Sequence, residues 1–208
     1  MALDRDTVVR TALAVLDEVG LDALTLRRIA ASLDVQAPAL YWHFKNKQEL
    51  VDEMATRVLR SATEVPEAEW AGLDWRGVAR RNGHGLRRAL LAHRDGARMV
   101  AGTHLTDTSA YASMERTLAI FTAAGFSLSA AITALTTVYH FTVGFVIEEQ
   151  AVQPRPGERD PSYDVATRAA RMDAGATPLA VAAGEELFSD FDRRYQAGLD
   201  VIVRGLDR

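Results

Sequence analysis

Cysteine is absent from the 208 residues, so neither a disulfide framework nor a thiolate metal site can form. The opening residues MALDRDTVVR lack the apolar stretch of a secretory signal, and no apolar run reaches membrane-spanning length. The expectation is a cytoplasmic protein with no membrane partner. A basic excess is missing too: net charge is −4, which by itself speaks against a nucleic-acid binder. Nor do residues 1–60 reverse this, with eight Lys/Arg against nine Asp/Glu. Catalytic signatures are lacking as well. There is no Gly-rich phosphate loop, no HExxH, no paired-carboxylate motif such as DDxxD, and no nucleophile set beside a base, so an enzyme is not expected. His84, His93, His104 and His140 show no metal-ligand spacing and read as structural, His93 as a residue that orders the turn in AHRDGA. What remains is ordinary globular composition, 48% apolar and 25% charged, in a chain long enough to bury a real core as one domain or two small ones.

The stretch that is there, and that organises the rest, is TLRRIAASLDVQAPALYWHFKNKQELVDEM, residues 25–54. Its apolar residues fall three and four apart: Leu26, Ile29, Ala30 and Leu33, then Val35, Leu40 and Phe44, then Leu50, Val51 and Met54. That pattern gives each of three short helices one buried face. Thr25 can cap the first helix, and Asn46 with Glu49 forms a capping box for the third. The turn at Leu33, Asp34 and Val35 is too short for anything but a steep crossing. Two helices joined this way form a helix-turn-helix, which places its second helix in a DNA major groove. The outward set on that second helix is Gln36, Ala37, Pro38, Ala39, Tyr41, Trp42 and His43. Pro38 suits an early helical position, where its missing N–H is no loss. Gln36 is an amide that can pair with adenine, whereas Ala37 and Ala39 can touch only a thymine methyl. Simple packing is expected for the Trp42 ring. Arg27, Arg28, Lys45 and Lys47 against Asp34 make residues 27–47 locally +3, a patch suited to phosphates within an acidic body.

Elsewhere the chain reads as helix throughout, with no strand alternation, so the fold class is all-α. A bracing helix spans about 5–19, with Asp4 or Asp6 to cap it and Gly20 to end it. The helix from Asn46 runs to about Ala62, and the polar break EVPEAEWAGLDW follows. We place the domain boundary there: 1–62 for the helix-turn-helix domain with its connecting helix, 63–208 for a helical bundle. Helices are expected over about 75–92, in a short piece ending near Gly102, over 107–124, from Ser127 or Ser129 to about Gln150, weakly over 165–174, and over about 184–205. The helix to Gln150 is apolar nearly all round and belongs mid-bundle or in a subunit interface. Gly144 within it suggests close approach of another helix backbone. Residues 151–164, with three prolines, read as a mobile loop.

The segment LTLRRIAASLDVQAPALYWHFKNKQELVD, with EVGLDALTLRRIA, ALLAHRDGA and AGFSLSAAITALTTVYHFTVG, resembles the TetR family of transcriptional regulators, in its tetracycline-repressor subclass. The likeness is good over roughly 3–150 and looser beyond. It implies a homodimeric repressor on double-stranded palindromic operator DNA, released by a small-molecule effector held among the C-terminal helices. Arg27 matches a guanine-reading position, and Tyr41, His43 and Lys47 match phosphate- or base-holding ones. Ala37 and Ala39 replace Gln and Thr, which implies a different operator. For the effector, Asn82 and Thr103 match polar ligand or water contacts, and Glu148 matches a carboxylate that holds magnesium through water. Thr63 replaces a histidine, Leu86 a stacking phenylalanine, and Thr117 a glutamine; Met114, Leu118 and Leu135 complete an apolar wall. Val100 stands where the subclass has its magnesium-ligating histidine, so no metal or cofactor is expected and a magnesium–tetracycline chelate is disfavoured. The expected effector is a flat, mainly apolar, antibiotic-like or polyketide-like compound.

Overall fold

A computed structural model of the chain describes residues 3–64, 66–155 and 157–206. Val65 and Pro156, inside the two segments read as linker and loop, lie outside the described residues. Apart from an isolated bridge between Arg155 and Glu158, every regular element among them is helical. Helix α1 (Arg5–Val19) is capped by Asp4, not Asp6: its carboxylate accepts from the Thr7 N–H at 2.7 Å. It ends at Gly20, whose φ of +77° suits a residue without Cβ. Helix α2 (Leu26–Ser32) starts on Thr25, which accepts from the Arg28 N–H at 3.3 Å. The chain then turns through Asp34 at φ +54° into α3 (Pro38–Tyr41), a single turn. Asn46 caps α4 (Lys47–Thr63), accepting from the Glu49 N–H at 2.9 Å. The reciprocal arm of this box is displaced by one residue: Glu49 accepts from the Lys45 N–H at 2.8 Å. That bond, with Arg5 nearby, holds the Glu49 carboxyl below its ordinary pKa.

The bundle comprises α5 (Trp75–Leu91), α6 (Gly96–Val100), α7 (Ser109–Ala123), α8 (Leu128–Val152), α9 (Val165–Ala169), α10 (Pro178–Phe188) and α11 (Phe191–Gly205). Ser127, rather than Ser129, caps α8. The last helix expected over 184–205 is in fact two. The pair Ser189–Asp190 interrupts it, with Asp190 at φ +45° and its carboxylate accepting from the Arg193 N–H at 3.2 Å. An N-cap signal was embedded in an otherwise continuous apolar pattern, and the cap prevailed. The weak helix expected over 165–174 shrinks to α9. Helix α8 departs from the expected lack of membrane-length apolar runs: its 25 residues are long and apolar enough to cross a membrane by length and composition. Nor does any backbone approach Gly144, where an added Cβ would meet nothing within 4 Å.

Two cores organise the packing. The first is continuous from α1 through α4 into α5, α6 and α8, taking in Leu16, Phe44, Met54, Leu90, Met99 and Val146. The second gathers Trp75, Phe121, Phe126, Tyr195 and Leu199 at the far end. Polar contacts reinforce the joint between α1 and the α5–α6 turn. Asp17 accepts from the Arg94 N–H at 3.0 Å and pairs with His93 Nδ1 at 3.0 Å, and Asp95 accepts from the Leu21 N–H at 2.9 Å. His93 therefore ties the turn to α1. The expected loop contributes too, since Arg155 donates to the carbonyl of Glu18 at 2.7 Å. Gln150 on α8 closes the joint from behind, donating to the His93 carbonyl at 2.7 Å and accepting from the Ala97 N–H at 3.2 Å.

Gly96 opens α6 under the tightest constraint of all: an added Cβ would sit 2.1 Å from the Leu90 carbonyl oxygen, which is backbone and cannot swing aside. Gly96→Ala is expected to destabilise the protein by about 1–3 kcal/mol through forced backbone displacement. Urea unfolding checks this; an unchanged midpoint would mean that α6 is not seated against α5 as described.

Candidate nucleic-acid interface and ligand cavity

The helix-turn-helix presents its predicted face outward. Arg27, Arg28, Gln36, Pro38, Tyr41 and Lys47 are exposed, and Ala37, Ala39 and His43 are half-buried. Trp42 corrects its expectation: the ring is 90% exposed and packs on nothing. Leu40 and Phe44 anchor this segment, both fully buried, and Val35 and Ala37 pack against the same core. The pattern contained this, since Leu40 and Phe44 are four apart and Trp42 falls on the opposite side. Arg5 braces the mount from α1, with its guanidinium 4.3 Å from the Phe44 ring centroid and Nη1 donating to the His43 carbonyl. Lys47 Nζ donates to the Leu21 carbonyl at 3.3 Å, which draws this cation toward the α1–α2 turn. The result is a protruding aromatic and basic surface, with Tyr41 and Trp42 between cations. Such a surface suits a polyanion with flat bases.

Beneath it, an apolar cavity of about 400 Å³ opens between α4, α5, α7 and α8. Seven of the expected effector residues line it: Thr63, Asn82, Leu86, Met114, Thr117, Leu118 and Leu135. Three do not. Val100 is buried in the first core, Thr103 is tied to the Val100 carbonyl at 2.8 Å, and Glu148 is exposed on α8 outside the wall. The wall also includes residues that the sequence reading missed. Leu59 and Ala62 join Thr63 at three-and-four spacing on α4, and Ile132, Thr136 and Tyr139 repeat that spacing on α8. The signal was visible, because hydroxyls interleaved in an apolar helix face are unnecessary for packing alone. Burial pushes the Tyr139 phenol up from its ordinary pKa, so it stays a neutral hydroxyl.

No charged side chain among the described residues belongs to the wall. Among the described residues no group of three or more His, Cys, Asp or Glu could hold a metal ion. Asn82 is the wall's amide, with Nδ2 3.4 Å from Thr117 Oγ1. Helix α4 links the two sites: its first residue follows the recognition turn, and its last turn forms part of the cavity wall.

Comparison with known proteins agrees with this arrangement. Residues 8–54 match the model of bacterial regulatory proteins of the tetR family, and residues 69–208 match the tetracyclin repressor-like C-terminal domain. The chain is 41% identical over 208 residues to the tetracycline repressor protein class A from transposon 1721 of Escherichia coli, covering 98% of this chain and 90% of that one. Among solved structures, it is similar to a possible TetR family transcriptional regulator from Streptomyces coelicolor A3(2), with a TM-score of 0.84, 41% identity and 98% of both chains covered. ActR from Streptomyces coelicolor in complex with actinorhodin gives a TM-score of 0.80 at 30% identity, covering 99% of this chain and 97% of that one.

Proposed function

The chain belongs to the tetR family of bacterial regulatory proteins, and from that premise we propose that it acts as a homodimeric repressor freed from a palindromic operator by a flat, polyketide-like or antibiotic-like effector. As a member of this family it is a DNA-binding, ligand-responsive transcriptional regulator, not an enzyme. The observation that carries the reading is the shared helix: α4 walls the cavity at one end and carries the recognition turn at the other. Its 17 residues span about 25 Å. A ligand that displaces Leu59, Ala62 and Thr63 therefore biases the position of α3.

ActR, a structural relative, is in complex with actinorhodin, which supports a small-molecule effector here, and the apolar wall has the right character for a flat one. A magnesium chelate does not suit these residues. Val100 offers no donor, and the described wall holds neither carboxylate nor imidazole. Dimerisation would cover the exposed face of α8, where Thr133, Thr137, His140 and Gly144 stand open in the protomer. It would also give the two recognition turns the two-fold symmetry that a palindromic site requires. A repressor of this kind works in the cytoplasm, with the DNA.

A gel-shift assay on DNA flanking the protein's own coding region tests the proposal; no retarded complex at low salt refutes it. On the operator so found, Arg27→Ala is expected to cost roughly 1–3 kcal/mol of specific binding, with a smaller loss on random DNA. Equal loss on both would show that Arg27 touches phosphate only.

A further inference from the structure

Directly behind the cavity wall, one residue along α5, stands a half-buried guanidinium with no ion-pair partner among the described residues. Arg81 lies over Trp70, its Cζ 3.9 Å from the ring centroid, and Nη1 donates to Asn82 Oδ1 at 2.8 Å. Among the described residues, its solvent-shielded Nε and Nη2 have no hydrogen-bond partner. Burial lowers the guanidinium's pKa, Glu69 opposes this, and Arg88 and Arg116 add to the lowering. Arg81 is thus a cation at this end of the cavity whose two inner nitrogens are unsatisfied.

The contact between Arg81 and Asn82 has a second consequence. A guanidinium carries donors only, so the Asn82 atom facing it must be the carbonyl oxygen. The amide cannot turn over without setting N–H against N–H. Its Nδ2 is therefore fixed on the side of Thr117, where both residues line the cavity. Because the Thr117 oxygen accepts from Nδ2, its own proton stays available to a ligand. An asparagine free to flip would accommodate either a donor or an acceptor; this one presents N–H alone.

We infer that Arg81 is a positioning residue that commits the cavity to effectors bearing an anionic or strongly accepting oxygen, such as a carboxylate, phenolate or enolate, at the Asn82–Thr117 end. The inference rests on reading the cavity as the effector site. It adds the polarity of the ligand and the residue that sets it.

Calorimetry on the full-length protein with anthraquinone-2-carboxylate and its neutral isostere anthraquinone-2-carboxamide tests this. The wild type is expected to bind the carboxylate about tenfold more tightly than the carboxamide. Arg81→Gln should bring that ratio close to one, and Arg81→Lys, which keeps the charge, should retain part of it. Asn82→Asp sets a carboxylate against Arg81 and should abolish the preference. Equal or reversed affinities in the wild type, a ratio unmoved by Arg81→Gln, or no binding of either probe would overturn the inference. If Arg81→Gln does not fold, the wild-type ratio and Asn82→Asp still decide. These titrations contain no DNA, so a failed operator shift and a failed carboxylate preference remain separate outcomes.

Discussion

Glu149→Ala is expected to destabilise the protomer by up to about 3–5 kcal/mol, because it takes the buried carboxylate from a largely buried guanidinium and leaves only the exposed Asp192 against it. Glu149 is buried and Arg87 largely so, with side chains 7% and 11% exposed. They meet through two bonds, Nε to Oε2 at 3.0 Å and Nη2 to Oε1 at 2.6 Å. The fork joins α5 to α8, and Nη1 reaches Asp192 on α11 at 2.6 Å. Burial disfavours the Arg87 charge, yet the bonds to Glu149 and Asp192 hold its pKa above the ordinary value. Asp192 provides the internal contrast. Its side chain is 91% exposed, so Asp192→Asn should change stability by only about 0–1 kcal/mol. Urea unfolding of both variants checks the pair. A loss below about 1 kcal/mol for Glu149→Ala would show that water reaches Arg87 and compensates it. Replacing both partners with apolar residues should recover much of the loss, because the penalty arises from the unpaired ion.

That cluster also shows where the sequence was mute. Arg87 and Glu149 are 62 residues apart, and nothing in the local pattern of α5 or α8 pairs them. Helix faces were legible because burial imposes a period, and caps were legible because orphan N–H groups demand particular side chains at fixed offsets. Thr25 and Asn46 accordingly sit where the sequence places them, and Ser127 is one of the two serines it offered. Asp190 is the exception of the same kind, a cap hidden inside an apolar run. The cavity was legible in part for a different reason. Seven lining residues came from family likeness, and the departures fall where packing differs. Position 100 belongs to the core once it is valine, and Thr103 turns back on its own backbone. Arg81 could not have been singled out from spacing. Only the three-dimensional contact with Asn82 reveals that its charge has no described ion-pair partner and that it orients a neighbour.

The same logic bears on how independent the two halves are. Phe44→Ala should lower stability by about 3–5 kcal/mol, since the ring is fully buried. It lies in a core that continues from α1 into α8. One cooperative transition, shifted downward, is therefore expected in a thermal melt, not a lost lower step beneath an unmoved upper one. Below that transition the functional loss should be one-sided. Phe44 is the floor under the recognition turn, so operator affinity should fall steeply. No residue of α1, α2 or α3 lines the cavity, so anthraquinone-2-carboxylate should bind Phe44→Ala about as it binds the wild type. Two separated melting steps would mean that residues 63–208 fold without the head. Parallel loss of probe and operator binding in a folded variant would mean that the cavity needs the head's packing to hold its shape, and the lever arm of α4 would then run in both directions.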